Sequence, residues 1–198
     1  SDLYVFTNGN TLTFNVRLTG NMNLIKSGTG TLALGSSSTG ASNTYGGTTY
    51  VNAGTLSLTA SSGFITVPGD LVITGFASGT NSAVTMVTNA GQIAATANVT
   101  LLGGGNLTLV GTNTLRGLTF DNEGAMANPT VAVGDSLTLS ETAAITATNQ
   151  SPVSVPVISG RNELRFVRAL ELQAAVRSEE FHVYTNPNGP YDSIELCG

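Results

Sequence analysis

The sequence predicts an all-β fold: a right-handed parallel β-solenoid with an atypical C-terminal end. Three observations predict it. Short runs alternate Leu with Thr, Ala or Ser, the period-2 signature of a half-buried strand, and glycines close many of them. A Gly-Thr-Leu-x-Leu unit occurs at Leu32 and again at Leu56, an offset of 24 positions, which suits one solenoid coil. Only 10% of the 198 residues are charged, against about 25% in ordinary domains. Coils of about 20–25 residues give roughly eight to ten coils. At about 4.8 Å per strand spacing they make a rod of roughly 40–45 Å.

Taken in order, the chain opens with Leu3-Tyr4-Val5-Phe6, then Thr11 to Val16, then Asn23-Leu24-Ile25. Asn8-Gly9-Asn10 and Gly20-Asn21 separate these runs, and both residue types favour the left-handed conformation of tight corners. Thr31 to Leu34, Thr48 to Val51 and Thr55 to Leu58 follow, each preceded by glycine. Further runs are Leu71 to Ile73, Ala83 to Val87, Val99 to Leu102, Leu107 to Val110, Leu118 to Phe120, Thr130 to Val133 and Leu137 to Leu139. Ile145 to Ile158 reads as two β runs about a Thr-Asn-Gln-Ser turn. Pro129, Pro152 and Pro156 stand at run edges, where a missing N–H is tolerated. Alternation turns Leu32, Leu34, Leu56, Leu58, Leu107, Leu109, Leu137 and Leu139 to the interior.

At Gly160 the composition changes, and more than half of all charges lie from Arg161 onward. The expected organisation is a β-solenoid over 1–160 and more charged coils or a cap over 161–198. Arg161 to Val176 alternates in places but has the Leu, Glu, Ala and Arg content of a helix. Strands are favoured because the preceding frame is all β. A polar, atypical end is expected where a solenoid exposes its last backbone edge.

The stretch from Lys26 to Leu58 resembles the autotransporter-associated β-strand repeat, K-x-G-x-G-x-L-x-L, a spacer, then N-x-Y-x-G-x-T-x-x-x-x-G-x-L-x-L. Lys26, Gly28, Gly30, Leu32 and Leu34 fit its first half. Asn43, Tyr45, Gly47, Thr49, Gly54, Leu56 and Leu58 fit its second, after a longer spacer from Ser36 to Ser42. The resemblance implies a bacterial β-helix passenger, secreted or displayed on the cell surface, with the repeat tied to export. The start at Ser1-Asp2 reads as mature or truncated, and no C-terminal barrel segment is visible. The expectation is therefore a passenger piece, or a secreted relative without the barrel.

Composition bounds the function. A net charge of −5 argues against nucleic acid, which demands clustered Lys and Arg. No apolar run approaches the length of a spanning helix. The single cysteine, Cys197, allows no intrachain disulfide. Regularly placed Leu, Val and Ile argue against disorder.

Catalytic residue types are scarce before Gly160. Asp121 and Glu123, two apart, have the spacing of paired carboxylates for a hydrolase or a Ca²⁺ site, and read more simply as a solvated turn. Asp135 and Glu141 flank a β run and read the same way. His182, after Glu179 and Glu180, lacks the companions of a metal site. Gly103-Gly104-Gly105 lacks the Lys-Ser/Thr of a phosphate loop. Asn98, Asn106 and Asn149 match glycosylation acceptors, as chance allows in so Asn- and Thr-rich a chain. Tyr45 and Tyr50 are candidates for stacking on sugars, against packing within the coil. No catalytic, cofactor or metal residue is assigned.

The expected function is a non-enzymatic structural module: a stalk, adhesin segment or filament subunit. The alternative is a glycan-binding or polysaccharide-cleaving β-helix. Expected partners are further copies, stacked end to end through the uncharged Leu3 to Phe6 edge, and a surface glycan.

Overall fold

The structure is a computed structural model that describes residues 1–35, 40–75, 83–86, 89–122, 127–141, 144–148, 155–160, 163–166, 173–174, 182–184 and 192–195. In chain order its strands are β1 (Asp2–Phe6), β2 (Thr11–Phe14), β3 (Thr19–Gly20), β4 (Asn23–Ser27), β5 (Thr31–Leu34), β6 (Thr44–Tyr45), β7 (Thr49–Val51) and β8 (Thr55–Leu58). Then come β9 (Leu71–Gly75), β10 (Ala83–Met86), β11 (Asn98–Gly103), β12 (Asn106–Thr108), β13 (Thr112–Leu115), β14 (Gly117–Asp121), β15 (Thr130–Val133) and β16 (Ser136–Leu139). The last are β17 (Ile145–Thr148), β18 (Val157–Gly160), β19 (Glu163–Phe166), β20 (Gln173–Ala174), β21 (His182–Tyr184) and β22 (Asp192–Glu195).

These strands build a parallel β-solenoid with three walls, and the described residues contain no helix. The first wall stacks β1-β4-β7-β9-β11-β14-β17-β20, and the second begins β2-β5-β8-β10-β12-β15-β18. The third is broken. It starts with β3–β6, is carried onward by a bridge between Val67 and Ile93, and ends as β13-β16-β19. Eight strands on the first wall span about 34 Å at about 4.8 Å spacing. Individual coils vary in length but average about 24 residues, as expected, and the stack is shorter than the expected rod because β21 and β22 turn back antiparallel rather than adding coils. Ile73 pairs with Leu101, and Phe120 with Ala147.

Arg161 to Val176 contributes β19 and β20, which continue the third and first walls in parallel. On the second wall β22 lies antiparallel to β18, and β21 antiparallel to β22.

Each strand was selected by the same arithmetic. With a side-chain period of two, residues in register repeat up the solenoid as columns. Leu12, Leu32 and Leu56 form one inward column, and Phe14, Leu34 and Leu58 the next. Leu24, Thr49, Leu71, Val99, Leu118 and Ile145 form a third, on the first wall. All eight leucines expected inside are buried. The alternation did not reveal β21 and β22 in the tail, nor β3, β6 and β13, and these last three lie on the broken wall. Two are only two residues long, and the third carries Asn113 at its inward position.

Leu56→Ala should lower stability by about 2–5 kcal/mol in chemical denaturation. Leu12, in the same column but 42% exposed at the first coil, should lose less than half as much on the same change. Equal losses would mean that stacking does not determine the core's energy.

Candidate functional site

Among the described residues the acidic side chains do not gather into one cluster. Asp121 is half-buried on β14, while Glu123 lies outside the described residues. Asp135 is exposed before β16, and Glu141, after β16, pairs with Arg116. Asp70 accepts the Asn98 N–H at 2.8 Å, and Asp2 accepts from the Asn23 amide at 2.8 Å. Among the described residues no three His, Cys, Asp or Glu gather as metal ligands. His182 is placed by its backbone on β21, and Glu179, Glu180, Asn149 and Cys197 lie outside the described residues. Gly103 to Gly105 form the turn joining β11 to β12, where a Cβ on Gly105 would crowd the Ile73 carbonyl of the coil before. Asn106 donates to the Gly104 carbonyl at 3.2 Å.

The concentrated polar chemistry is instead inside the repeat. On β4 the alternation turns Leu24 and Lys26 inward. Lys26 stands in the column Val5, Lys26, Val51, Ile73, Leu101, Phe120 and has no exposed surface. Its Nζ donates to the carbonyls of Ser27 at 3.2 Å, Gly28 at 2.8 Å and Ala53 at 2.8 Å. The first two belong to its own corner and the third to the next coil. Desolvation lowers its pKa below the usual lysine value.

Two glycines let these corners stack. Gly28 has φ +81°, and a Cβ there would strike the Thr7 carbonyl. Gly54 has φ +69°, and a Cβ there would strike the carbonyls of Gly28 and Gly30. Both positions combine a left-handed backbone with contact against the preceding coil, which only glycine meets.

Where the third wall lacks regular strands, side-chain amides replace its ladder. Asn43 Oδ1 accepts the Leu18 N–H at 2.9 Å and its Nδ2 donates to the Thr66 carbonyl at 2.8 Å, joining the coils on either side. Gln92 is fully buried. It accepts from Ala60 N–H at 2.7 Å and donates to the Leu58 and Asn89 carbonyls at 3.0 Å each. Asn113 accepts from Gly91 N–H at 3.0 Å and donates to the Val110 carbonyl at 3.0 Å.

Tyr45, weighed as a sugar-stacking residue, is 1% exposed. Its hydroxyl shares a 2.6 Å hydrogen bond with Thr49 Oγ1 and donates toward the Thr66 carbonyl at 3.4 Å. Burial pushes its pKa up to about 12. Tyr50, one strand on, is half-buried on the outer face.

Sequence reasoning left the interior roles of Lys26, Gln92 and Asn113 unassigned. Lys26 carried a signal, since it has the parity of Leu24. Gln92 and Asn113 lie outside every alternating run read from the sequence.

Residues 24–58 match the family model described as passenger-associated-transport-repeat. This segment contains the Lys26 corner, Asn43, Tyr45 and both Gly-Thr-Leu-x-Leu units. Comparison with curated proteins and with solved structures gives no match.

Lys26→Met should destabilise by about 1–3 kcal/mol in urea titration, because three inward carbonyls lose a charged donor. An unchanged midpoint would remove Lys26 from the corner's energetics. Tyr45 predicts an alkaline loss of stability. Its pKa is higher folded than unfolded, so its contribution is complete below pH 10 and is lost as pH rises toward 12. The loss is about 2–3 kcal/mol. Lys26, with its lowered pKa, acts oppositely up to about pH 10.5, so the Tyr45 effect is read as the difference between wild type and Tyr45→Phe.

Proposed function

We propose that the chain is a non-enzymatic structural segment of a secreted or surface-displayed passenger, a stiff stalk whose folding accompanies export. One observation carries this reading: the residues that define the passenger repeat are spent on joining coils. Lys26, Asn43 and Tyr45 each hydrogen-bond across coils or within a corner. Gly28 and Gly54 permit corner stacking, and Leu32, Leu34, Leu56 and Leu58 fill the core. The acidic residues Asp2, Asp70 and Glu141 likewise hold neighbouring coils. This favours a structural role over polysaccharide cleavage. A stack of in-register coils resists bending because every wall would have to break its ladder at once.

The reading is tested by placing the chain between an epitope and an outer-membrane barrel and measuring epitope on intact cells. Wild type should display it. Leu56→Asp, which puts a charge into the core column, should cut display severalfold at equal synthesis. Equal display by both would detach the fold from export. Release of reducing ends from pectin or xylan that vanishes on Asp121→Ala would replace the structural reading with an enzymatic one.

A further inference from the structure

The outer face of the first wall changes character along the solenoid. Its register places Tyr4, Ile25, Tyr50 and Val72 in one outward column over four successive strands. The same column continues as Thr100 and Thr119. A mixed aromatic and aliphatic ridge thus gives way to hydroxyls at the fifth strand. Tyr4 is 71% exposed, and its hydroxyl donates to Asp2 at 3.2 Å.

We infer that this ridge is a binding site for a neutral, β1,4-linked polysaccharide lying along the solenoid axis. Three observations select that occupant. First, the two tyrosines recur at an interval of two strand spacings, about 9.6 Å. A flat β1,4-linked ribbon presents the same ring face at every second sugar, so its repeat suits that interval. Second, the ridge supplies what a pyranose face needs. Sugar C–H bonds are weakly positive and pack on the negative π-face of an aromatic ring, while the flanking Asn23 and Ser27 offer an amide and a hydroxyl to sugar hydroxyls. Third, the charges flanking this ridge are two acids, Asp2 and Asp70, with no Lys or Arg on the outward side of the four strands, and both carboxylates already accept a hydrogen bond from a neighbouring coil. A polyanion would be repelled there, and a polycation would find only two carboxylates, each already hydrogen-bonded. The site uses Tyr4 in place of the buried Tyr45, and Tyr50 remains in it.

The test is co-sedimentation of the purified chain with microcrystalline cellulose and with chitin, and titration with cellohexaose and chitohexaose. Wild type should be retained by at least one polymer. Tyr4→Ala should weaken binding about tenfold with an unchanged melting temperature, since Tyr4 is exposed. Tyr4→Phe should retain most of the affinity. Tyr50→Ala, whose ring is half-buried, is read only where circular dichroism shows a folded chain, and should weaken binding similarly. The inference fails if wild type binds neither polymer nor hexasaccharide, or if Tyr4→Ala binds as tightly as wild type. It also fails if the ridge proves to be a contact between copies, seen as a dimer that Tyr4→Ala dissolves without any sugar binding.

Discussion

The in-register parallel ladder between successive coils is the constraint on which the rest of the structure depends. Once a strand pairs with its predecessor, each inward side chain sits one strand spacing, about 4.8 Å, from its counterpart. A slip of one residue would exchange inside for outside along the whole coil. Leu12, Leu32 and Leu56 therefore share one column, and Phe14, Leu34 and Leu58 another. The same spacing brings corner backbones into contact. The corners at Gly28 and Gly54 consequently have no room for a Cβ, and both adopt positive φ.

Close stacking creates a second demand, because corners turn backbone carbonyls away from the ladder. Buried carbonyls without donors are costly. Lys26 meets this demand from inside the core. An ammonium has three donor hydrogens and no acceptor, and it faces three carbonyls, two in its own coil and one in the next. Burying the charge is expensive, and the three charge-assisted bonds offset that cost. A leucine at the same position would fill the column and leave Ser27, Gly28 and Ala53 without that donor. The same logic places Asn43, Gln92 and Asn113 where the third wall has no continuous strand. Each is an amide that donates and accepts at once, as a strand residue does.

How much of this was legible follows from where alternation is visible. The second wall could be read almost strand by strand as far as β18, since Thr31 to Leu34, Thr55 to Leu58 and Thr130 to Val133 announce their period. Asp121, Asp135 and Glu141 read as solvated turn residues from their position at run edges, and Glu141 proves to be tied to Arg116. Lys26 was quoted as a motif residue without an interior role, because charge ordinarily signals exposure. Packing within the coil was the favoured reading of Tyr45 and holds, although a two-residue strand offers no alternation to tell inside from outside. Gln92 was invisible because a loop amide becomes a ladder substitute only when the coils on either side are known.

This division between inside and outside constrains where any further activity can reside. Inward columns and corners are committed to holding one coil on the next, so a change there is felt first as lost stability. Outward columns carry less of this duty, the Asp2–Asn23 and Asp70–Asn98 contacts apart, and their composition drifts from coil to coil while the inward columns remain mostly aliphatic. On the first wall the inward column runs from Leu24 to Ile145 with a single polar member, Thr49. The outward column beside it passes from Tyr4 and Tyr50 to Thr100 and Thr119. Tyr4, at 71% exposure, presents apolar surface to water and packs little against the core. The ridge on the first wall is therefore the place on this solenoid where recognition can be altered while the stack of coils is preserved.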